Sequence, residues 1–338
     1  MAQMKDDDAN RIDAFLTRAG WEQARRSVIA GDASNRRYLR LMMGDGRRAI
    51  LMDAPAGQGN DTRPFIAIAE HLTSHGLSAP AILADAPEQG LLLLEDLGDA
   101  LFAREMNADP ARQEPLYRAA TDLLVALHAL PVPDVPPCDA DWLIEMTAPA
   151  FEWYAPSLEA KTDFEAAFAP MARRLAAKGK VLILRDYHAE NLLWLPERDG
   201  VARVGLLDFQ DALRGHPAYD LVSILQDARR DVPTAIETQM IARYTEHTSR
   251  DTTDFARDYA LLGMQRNLRI LGLFVRLCQR DGKPQYIDMI PRVWSYLQRN
   301  LDHPDLAELK RILRPALPDP TPERLESLKS RCATLPTL

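Results

Sequence analysis

Residues 181–211 read VLILRDYHAENLLWLPERDGVARVGLLDFQD. Two apolar runs, VLIL at 181–184 and VGLL at 204–207, have the length and composition of short strands. Between and after them lie polar loops, the kind of segment that a rigid strand holds in place while leaving it open to ligands. The first loop carries Asp186, His188 and Asn191, and the second carries Asp208 and Asp211. Asn191 follows Asp186 by five positions, and Asp208 follows Asn191 by seventeen. A turn through Pro196 and Gly200 would return Asp208 to the neighbourhood of Asn191.

That combination suits phosphoryl transfer. One carboxylate must orient an acceptor hydroxyl and take its proton, while a second carboxylate and an amide oxygen hold Mg²⁺ against the phosphates. On this reading Asp186 is the catalytic base, and Asn191 and Asp208 are the metal ligands. A structural alternative, in which all three are turn formers in a hairpin loop, stays open at this point.

Working outward, a short amphipathic helix is expected near 8–20, strands near 25–30, 36–43 and 47–53, a helix over 63–75, and strands at 80–85 and 91–95. Beyond Gly98 the texture changes to long helices, at 111–130, 157–178 and almost continuously after 217 until a Pro-rich tail near 314–321. The segment PVPDVPP at 131–137 reads as a linker or insertion. The expected architecture is α+β and bilobed, with a β-rich lobe at 1–97, a helical lobe at 98–338 and a hinge near 95–99.

Composition narrows the class without choosing it. The chain has 338 residues, 46% hydrophobic and 27% charged, with net charge −8. An acidic chain lacks the cationic surface that nucleic acid or an anionic membrane requires. Three widely spaced cysteines make no disulfide framework and no zinc motif. The acidic N-terminus is unlike a signal peptide, and aliphatic runs such as 91–94 are far too short to span a bilayer. A cytoplasmic protein is expected. Among 41 basic residues, 34 are Arg and 7 are Lys, and no Lys occurs between Lys5 and Lys161.

The motif set resembles the kinase-like fold, and more closely its aminoglycoside phosphotransferase and choline kinase branch. That branch carries H-G-D-x-H-x-x-N and a later I-D-[FW]; this chain has LRDYHAEN at 184–191 and LDF at 207–209. The leading His-Gly is replaced by Leu184-Arg185. The resemblance continues in PAYDL at 217–221, where the family places an Asp that braces the catalytic loop, and in LEDLG at 94–98 as the adenine-binding hinge. It implies a protein-kinase-like fold over roughly 25–300, ATP and Mg²⁺ as cofactors, Glu95 and Leu97 at the adenine, and Asp220 and His188 as braces.

Kinases of this fold usually hold the α- and β-phosphates with a Lys on the third strand. Here that strand reads AILMD at 49–53, and the Lys-free stretch leaves no substitute nearby. The nucleotide loop GDASN at 31–35, with one Gly, followed by Arg36 and Arg37, offers Ser34, Asn35, Arg36 and Arg37 as phosphate-binding candidates. Glu70 is the carboxylate expected to orient such an arginine. A nucleotide-binding pseudokinase is the alternative that the missing lysine keeps in play.

Only eleven residues separate Asp208 from Asp220, too few for a peptide-docking activation segment, which points to a small-molecule acceptor. Asp211, Trp153, Arg266 and Asn267 are the candidates for binding it, an aromatic to stack on a sugar face and an arginine to pair with a carboxylate. The signatures GDAS to Arg37-Tyr38, MDAP at 52–55 and MQRNLRILG at 264–272 look like bacterial anomeric kinases of N-acetylmuramate and N-acetylglucosamine. That resemblance implies a role in peptidoglycan recycling and a sugar-1-phosphate nucleotidyltransferase downstream. Aminoglycosides or other small alcohols are the alternative acceptors.

Overall fold

The structure, a computed structural model, describes residues 2–29, 36–55 and 61–334, with residues 2–9 described by backbone alone. It divides into two compact units. The first comprises 1–112 with 189–211, and the second 113–188 with 212–338.

The first unit is built on strands β1 (Arg25–Ile29), β2 (Arg37–Met42), β3 (Arg48–Asp53), β4 (Ile82–Ala86) and β5 (Leu91–Glu95). They form one antiparallel sheet in the order β1-β2-β3-β5-β4. Helix α1 (Ala2–Arg18) lays Ile12, Phe15 and Leu16 on a sheet face made by Leu41, Ala49, Leu51, Leu91 and Leu93. Burial of these side chains, about 1.5–3 kcal/mol each, is what fixes the sheet as a platform. Helix α2 (Arg63–Ser74), expected from Phe65, Ile66, Ala69 and Leu72, buries Phe65, Ile68, Ala69 and Leu72, the i, i+3, i+4, i+7 face of a helix.

This unit is drawn more widely than the expected boundary at 97/98. Helix α3 (Phe102–Ala108) and the hairpin of β7 (Leu192–Trp194) with β8 (Val204–Leu206) join it. The reason is hydrogen bonding and ring packing. Ala103 N donates to Ala189 O at 3.0 Å, Trp194 N to Ala100 O at 2.8 Å and Leu206 N to Ser78 O at 2.8 Å, while Phe65 stacks on Phe209 at 4.8 Å.

The second unit pairs β6 (Val181–Ile183) with β9 (Leu213–Gly215), a strand not foreseen, and Cys138 N donates to Arg214 O at 2.8 Å beside them. The PVPDVPP segment is therefore anchored to β9, with Pro137 bridging Arg214. Around this lie α4 (Gln113–Leu127), the short α5 (Ala140–Glu145), α6 (Leu158–Ala177), α7 (Ala218–Leu225), α8 (Thr234–His247), the long α9 (Thr252–Gln279) and α10 (Ile290–Leu301). Helix α9 approaches the 149–154 segment closely at Gly272, where a Cβ would lie 2.0 Å from the Pro149 backbone. The Pro-rich tail contains more helix than expected. Pro315 sits within α11 (Ala307–Ala316), and Thr321, whose hydroxyl accepts from Arg324 N, starts α12 (Pro322–Lys329).

Candidate active site

In the second unit, β6 delivers the chain into Leu184, Arg185 and Asp186. Both oxygens of Asp220, in the first turn of α7, accept backbone bonds from this loop, from Leu184 N at 2.6 Å and Arg185 N at 2.9 Å. Burial raises the Asp220 carboxyl to about 7, opposed by those two N–H donors and by Arg266. The Arg185 carbonyl is held as well, accepting from Ser223 Oγ at 3.1 Å and from Arg266 Nη1 at 3.2 Å. Arg185 has φ 69°, so the loop turns through the left-handed region just before Asp186.

The next residues are fixed by burial. Tyr187 is fully buried and its hydroxyl donates to Ala120 O at 2.8 Å. His188 is buried too, and its Nε2 accepts from Arg229 Nη1 at 3.2 Å. Burial first, then the Arg229 and Arg266 charges, hold its pKa well below the usual imidazole value, so the ring is neutral. A neutral, buried ring that accepts a bond orders the loop. His188 and Asp220 thus have the surroundings of braces.

In the first unit, Leu207 N donates to Asn191 O at 3.0 Å, which sets the start of β7 beside the end of β8. The side chains follow: Asn191 Nδ2 lies 3.4 Å from Asp208 Oδ2. Asp208 is exposed, in the left-handed region at φ 57°, while Phe209 behind it is buried against Phe65. Gln210 Nε2 donates to Asp208 Oδ1 at 2.8 Å, and Arg36 Nη1 stands 3.9 Å from the same oxygen. Three donors thus converge on one exposed carboxylate. The hard oxygen of Asp208 and the carboxamide oxygen of Asn191, once that amide is turned, are a donor pair suited to Mg²⁺. No cluster of three or more His, Cys, Asp or Glu is present among the described residues, so such an ion would draw its other ligands from substrate and water.

Ser34 and Asn35 lie outside the described residues. Of the two neighbouring arginines, Arg36 is the one beside Asp208, with Tyr38 next to it; burial raises the Tyr38 hydroxyl, and Arg36 opposes that. Arg37 instead pairs with Asp53 on β3, which is 1% exposed and also bound by Arg11 Nη2 at 2.7 Å. Met52, in the strand where a lysine is usual, is buried between Tyr38 and Leu92 on the flanking strands. Glu70 lies on the exposed side of α2. Glu95 spends its carboxylate on Arg198 at 2.5 Å and Ala81 N at 3.2 Å. Leu97 is half-buried, in a turn pinned by Asp96, which accepts from Gly98 N at 3.0 Å and pairs with Arg40 at 2.9 Å.

The Phosphotransferase enzyme family matches residues 25–259. The chain belongs to that family. It is 42% identical to an N-acetylmuramate/N-acetylglucosamine kinase of Caulobacter vibrioides, over 88% of this chain and 93% of that one. A protein of the same name from Pseudomonas aeruginosa is 34% identical over 87% and 90%. Among solved structures, a choline/ethanolamine kinase family protein from Mesorhizobium loti matches with a TM-score of 0.62 at 13% identity, covering 97% of this chain and 99% of that one. The fold is therefore that of the kinase-like phosphotransferases, as the motifs implied.

The four acceptor candidates in this phosphotransferase have different surroundings. Arg266 is buried and contacts the Arg185 carbonyl. Its neighbour Asn267 belongs to a core amide network, donating to Gln226 Oε1 at 2.9 Å and Gly263 O at 2.7 Å. Trp153 lies in a single-turn π-helix whose neighbours Phe151 and Tyr154 pack on Phe164 and Trp294. Asp211 is exposed at the end of the 189–211 segment.

Sequence reading missed several residues of this phosphotransferase altogether. Trp142, in α5, carries the Arg185 guanidinium over its ring at 5.3 Å. His216 Nδ1 accepts from Ala218 N at 3.1 Å, capping the helix that bears Asp220, while its Nε2 faces Asp258 Oδ2 at 3.3 Å. Only the H-P-A-Y-D run at 216–220 could have hinted at that cap.

No helix among the described residues is long and apolar enough to cross a membrane.

Proposed function

We propose that this phosphotransferase is a cytoplasmic, ATP-dependent kinase of N-acetylmuramate and N-acetylglucosamine, acting at the anomeric hydroxyl. The observation that carries the reading is the retained set Asp186, Asn191 and Asp208 in a chain 42% identical to a kinase named for those sugars. The acceptor O–H gives its proton to Asp186 as its oxygen attacks the γ-phosphorus and the bond to the ADP oxygen breaks. Asn191 and Asp208 would hold Mg²⁺, which when bound neutralises charge on the phosphate oxygens. Arg36, beside Asp208, supplies the fixed positive charge that the strand lysine gives elsewhere. The sugar 1-phosphate suits a nucleotidyltransferase that makes a UDP-sugar, which places the reaction in peptidoglycan recycling.

The test is ADP release from Mg-ATP with N-acetylmuramate, N-acetylglucosamine, kanamycin or choline as acceptor. Release with the sugars alone, lowered about 10²–10⁴-fold by Asp186→Asn while nucleotide binding survives, is the expected result. Release only with kanamycin or choline would replace the acceptor class, and an acid-stable product would remove C1 as the acceptor. Mg-ATP binding with no turnover of any acceptor would leave a pseudokinase.

A further inference from the structure

The three cysteines are far apart in sequence, but the fold brings two of them together. Cys278, 54 positions before Cys332, lies in the last turn of α9, and Cys332 lies in the turn that follows α12. Each thiol reaches across to the backbone of the other segment. Cys332 Sγ donates to Cys278 O at 3.1 Å, and Cys278 Sγ donates to Leu328 O, in the last turn of α12, at 3.9 Å. Ala333 N donates to the same Cys278 carbonyl at 3.0 Å, and Lys329 pairs with Asp288 at 2.5 Å. A disulfide needs two backbones close together and side chains that point toward each other. The shared backbone hydrogen bond supplies the first, and the crossing thiols supply the second.

Ala333 has φ 56°, a left-handed conformation that a residue with a side chain seldom takes. The turn that holds Cys332 against α9 is therefore kept by its contacts and not by local preference. The two thiols also differ in access. Cys278 is wholly buried, and burial, with the Cys332 thiol beside it, raises its pKa to about 12. Cys332 is half-buried, between the exposed residues Arg331 and Ala333. A small oxidant arriving from solvent meets Cys332 first.

We propose that Cys278 and Cys332 form a reversible oxidation site, at which a peroxide converts the two thiols to a disulfide that ties α12 to α9. The Cys332 sulfur attacks one oxygen of hydrogen peroxide, the O–O bond breaks, and the thiol proton leaves with the other oxygen as water. The Cys278 sulfur then attacks the resulting sulfenic sulfur. The S–S bond forms as the S–O bond breaks, and the Cys278 proton leaves with that oxygen as a second water. Each sulfur gives up one electron, and the peroxide takes up both. In a reducing compartment such a bond is transient, as cytosolic redox-sensing disulfides are.

The experiment treats the reduced full-length protein with hydrogen peroxide, quenches it, alkylates it in denaturant and maps the peptides. The expected result is a chain lighter by two hydrogens in which the Cys278 and Cys332 peptides are linked. Cys138 should still be alkylated, and dithiothreitol should restore both thiols. Because the bond closes a long loop in the unfolded chain, oxidation should raise Tm by about 5 °C. Cys332→Ser keeps a donor for the Cys278 carbonyl and should show neither the bond nor the rise in Tm. Thiols that both remain alkylatable after peroxide, oxidation of Cys332 that stops at its sulfinic acid, or a bond that joins two chains would each overturn the site. An equal rise in Tm in Cys332→Ser would overturn the tie between the helices.

Discussion

Asp208 and Asp220 lie twelve positions apart in sequence and are held in opposite ways. Asp220 is buried, and both its oxygens are bound by backbone N–H groups that cannot move without unravelling the loop. Asp208 is exposed, and its neighbours are the side chains of Asn191, Gln210 and Arg36, each able to swing away. A carboxylate fixed by main-chain donors in a dry place is part of the scaffold. One exposed on a loop among side-chain donors can exchange them for a cation at little cost. Environment rather than residue type is thus what suits Asp220 to the proposed role of brace and Asp208 to that of ligand.

The largest expected effect breaks that contrast directly. Asp208→Asn should raise the Mg²⁺ concentration needed for half-maximal activity at least tenfold and leave Tm within a degree or two, because the carboxylate itself is exposed and an amide oxygen can still accept from Gln210. Asp220→Asn should do the reverse, lowering stability by about 1–3 kcal/mol as its amide NH₂ opposes a loop N–H, with the Mg²⁺ midpoint unmoved. Magnesium titrations and thermal melts of both variants decide it. A shift of the Mg²⁺ midpoint in Asp220→Asn would erase the distinction.

Much of this was legible in sequence because the site is local. Asp186, Asn191 and Asp208 fall within one stretch, each just after or just before a short strand, and turn chemistry at Pro196 and Gly200 suffices to join two of them. The sheet strands and α2 were legible for the same reason, their period being written in neighbouring residues. What escaped depends on contacts distant in sequence. Trp142 meets Arg185 from a six-residue helix with no periodicity to reveal it. Strand β9 is three residues long and has no alternation to show. Asn267 and Trp153 were candidates on residue type alone; that the Asn267 Nδ2 donates to Gln226 inside the core is a matter of tertiary packing, which no spacing shows. The lysine-free stretch was readable as a problem, whereas Arg36 at Asp208 and Arg37 at Asp53 became distinct only through the fold.

A smaller effect tests the brace by pH. The Asp220 carboxyl is raised from about 3.8 to about 7 by burial. A folded-state value above the unfolded one means that its contribution to stability is complete below about pH 4 and is lost as pH rises through about 7. Asp220→Asn lacks that titration. The stability gap between wild type and variant, read from urea unfolding, should therefore shrink between pH 5 and 8. A gap that stays constant or widens would mean that Asp220 is ionised throughout the range.

The smallest effects separate the two neighbouring arginines. Arg36 is mostly buried beside Asp208, whereas Arg37 is half exposed and pairs with a buried aspartate that Arg11 also binds. Removing Arg36 takes positive charge from beside Asp208, the proposed phosphate-binding charge, without stranding an acid in the core. Arg36→Ala should raise KM for ATP severalfold with little change in Tm. Removing Arg37 leaves Asp53 with Arg11 alone, a partial loss of a buried pair, so Arg37→Ala should cost about 1–2 kcal/mol of stability and scarcely alter KM. Steady-state kinetics over ATP concentration, paired with melts of each variant, read both quantities. If Arg37→Ala raises KM and Arg36→Ala does not, the residue standing in for the strand lysine is Arg37, and Asp53 is the acid that orients it.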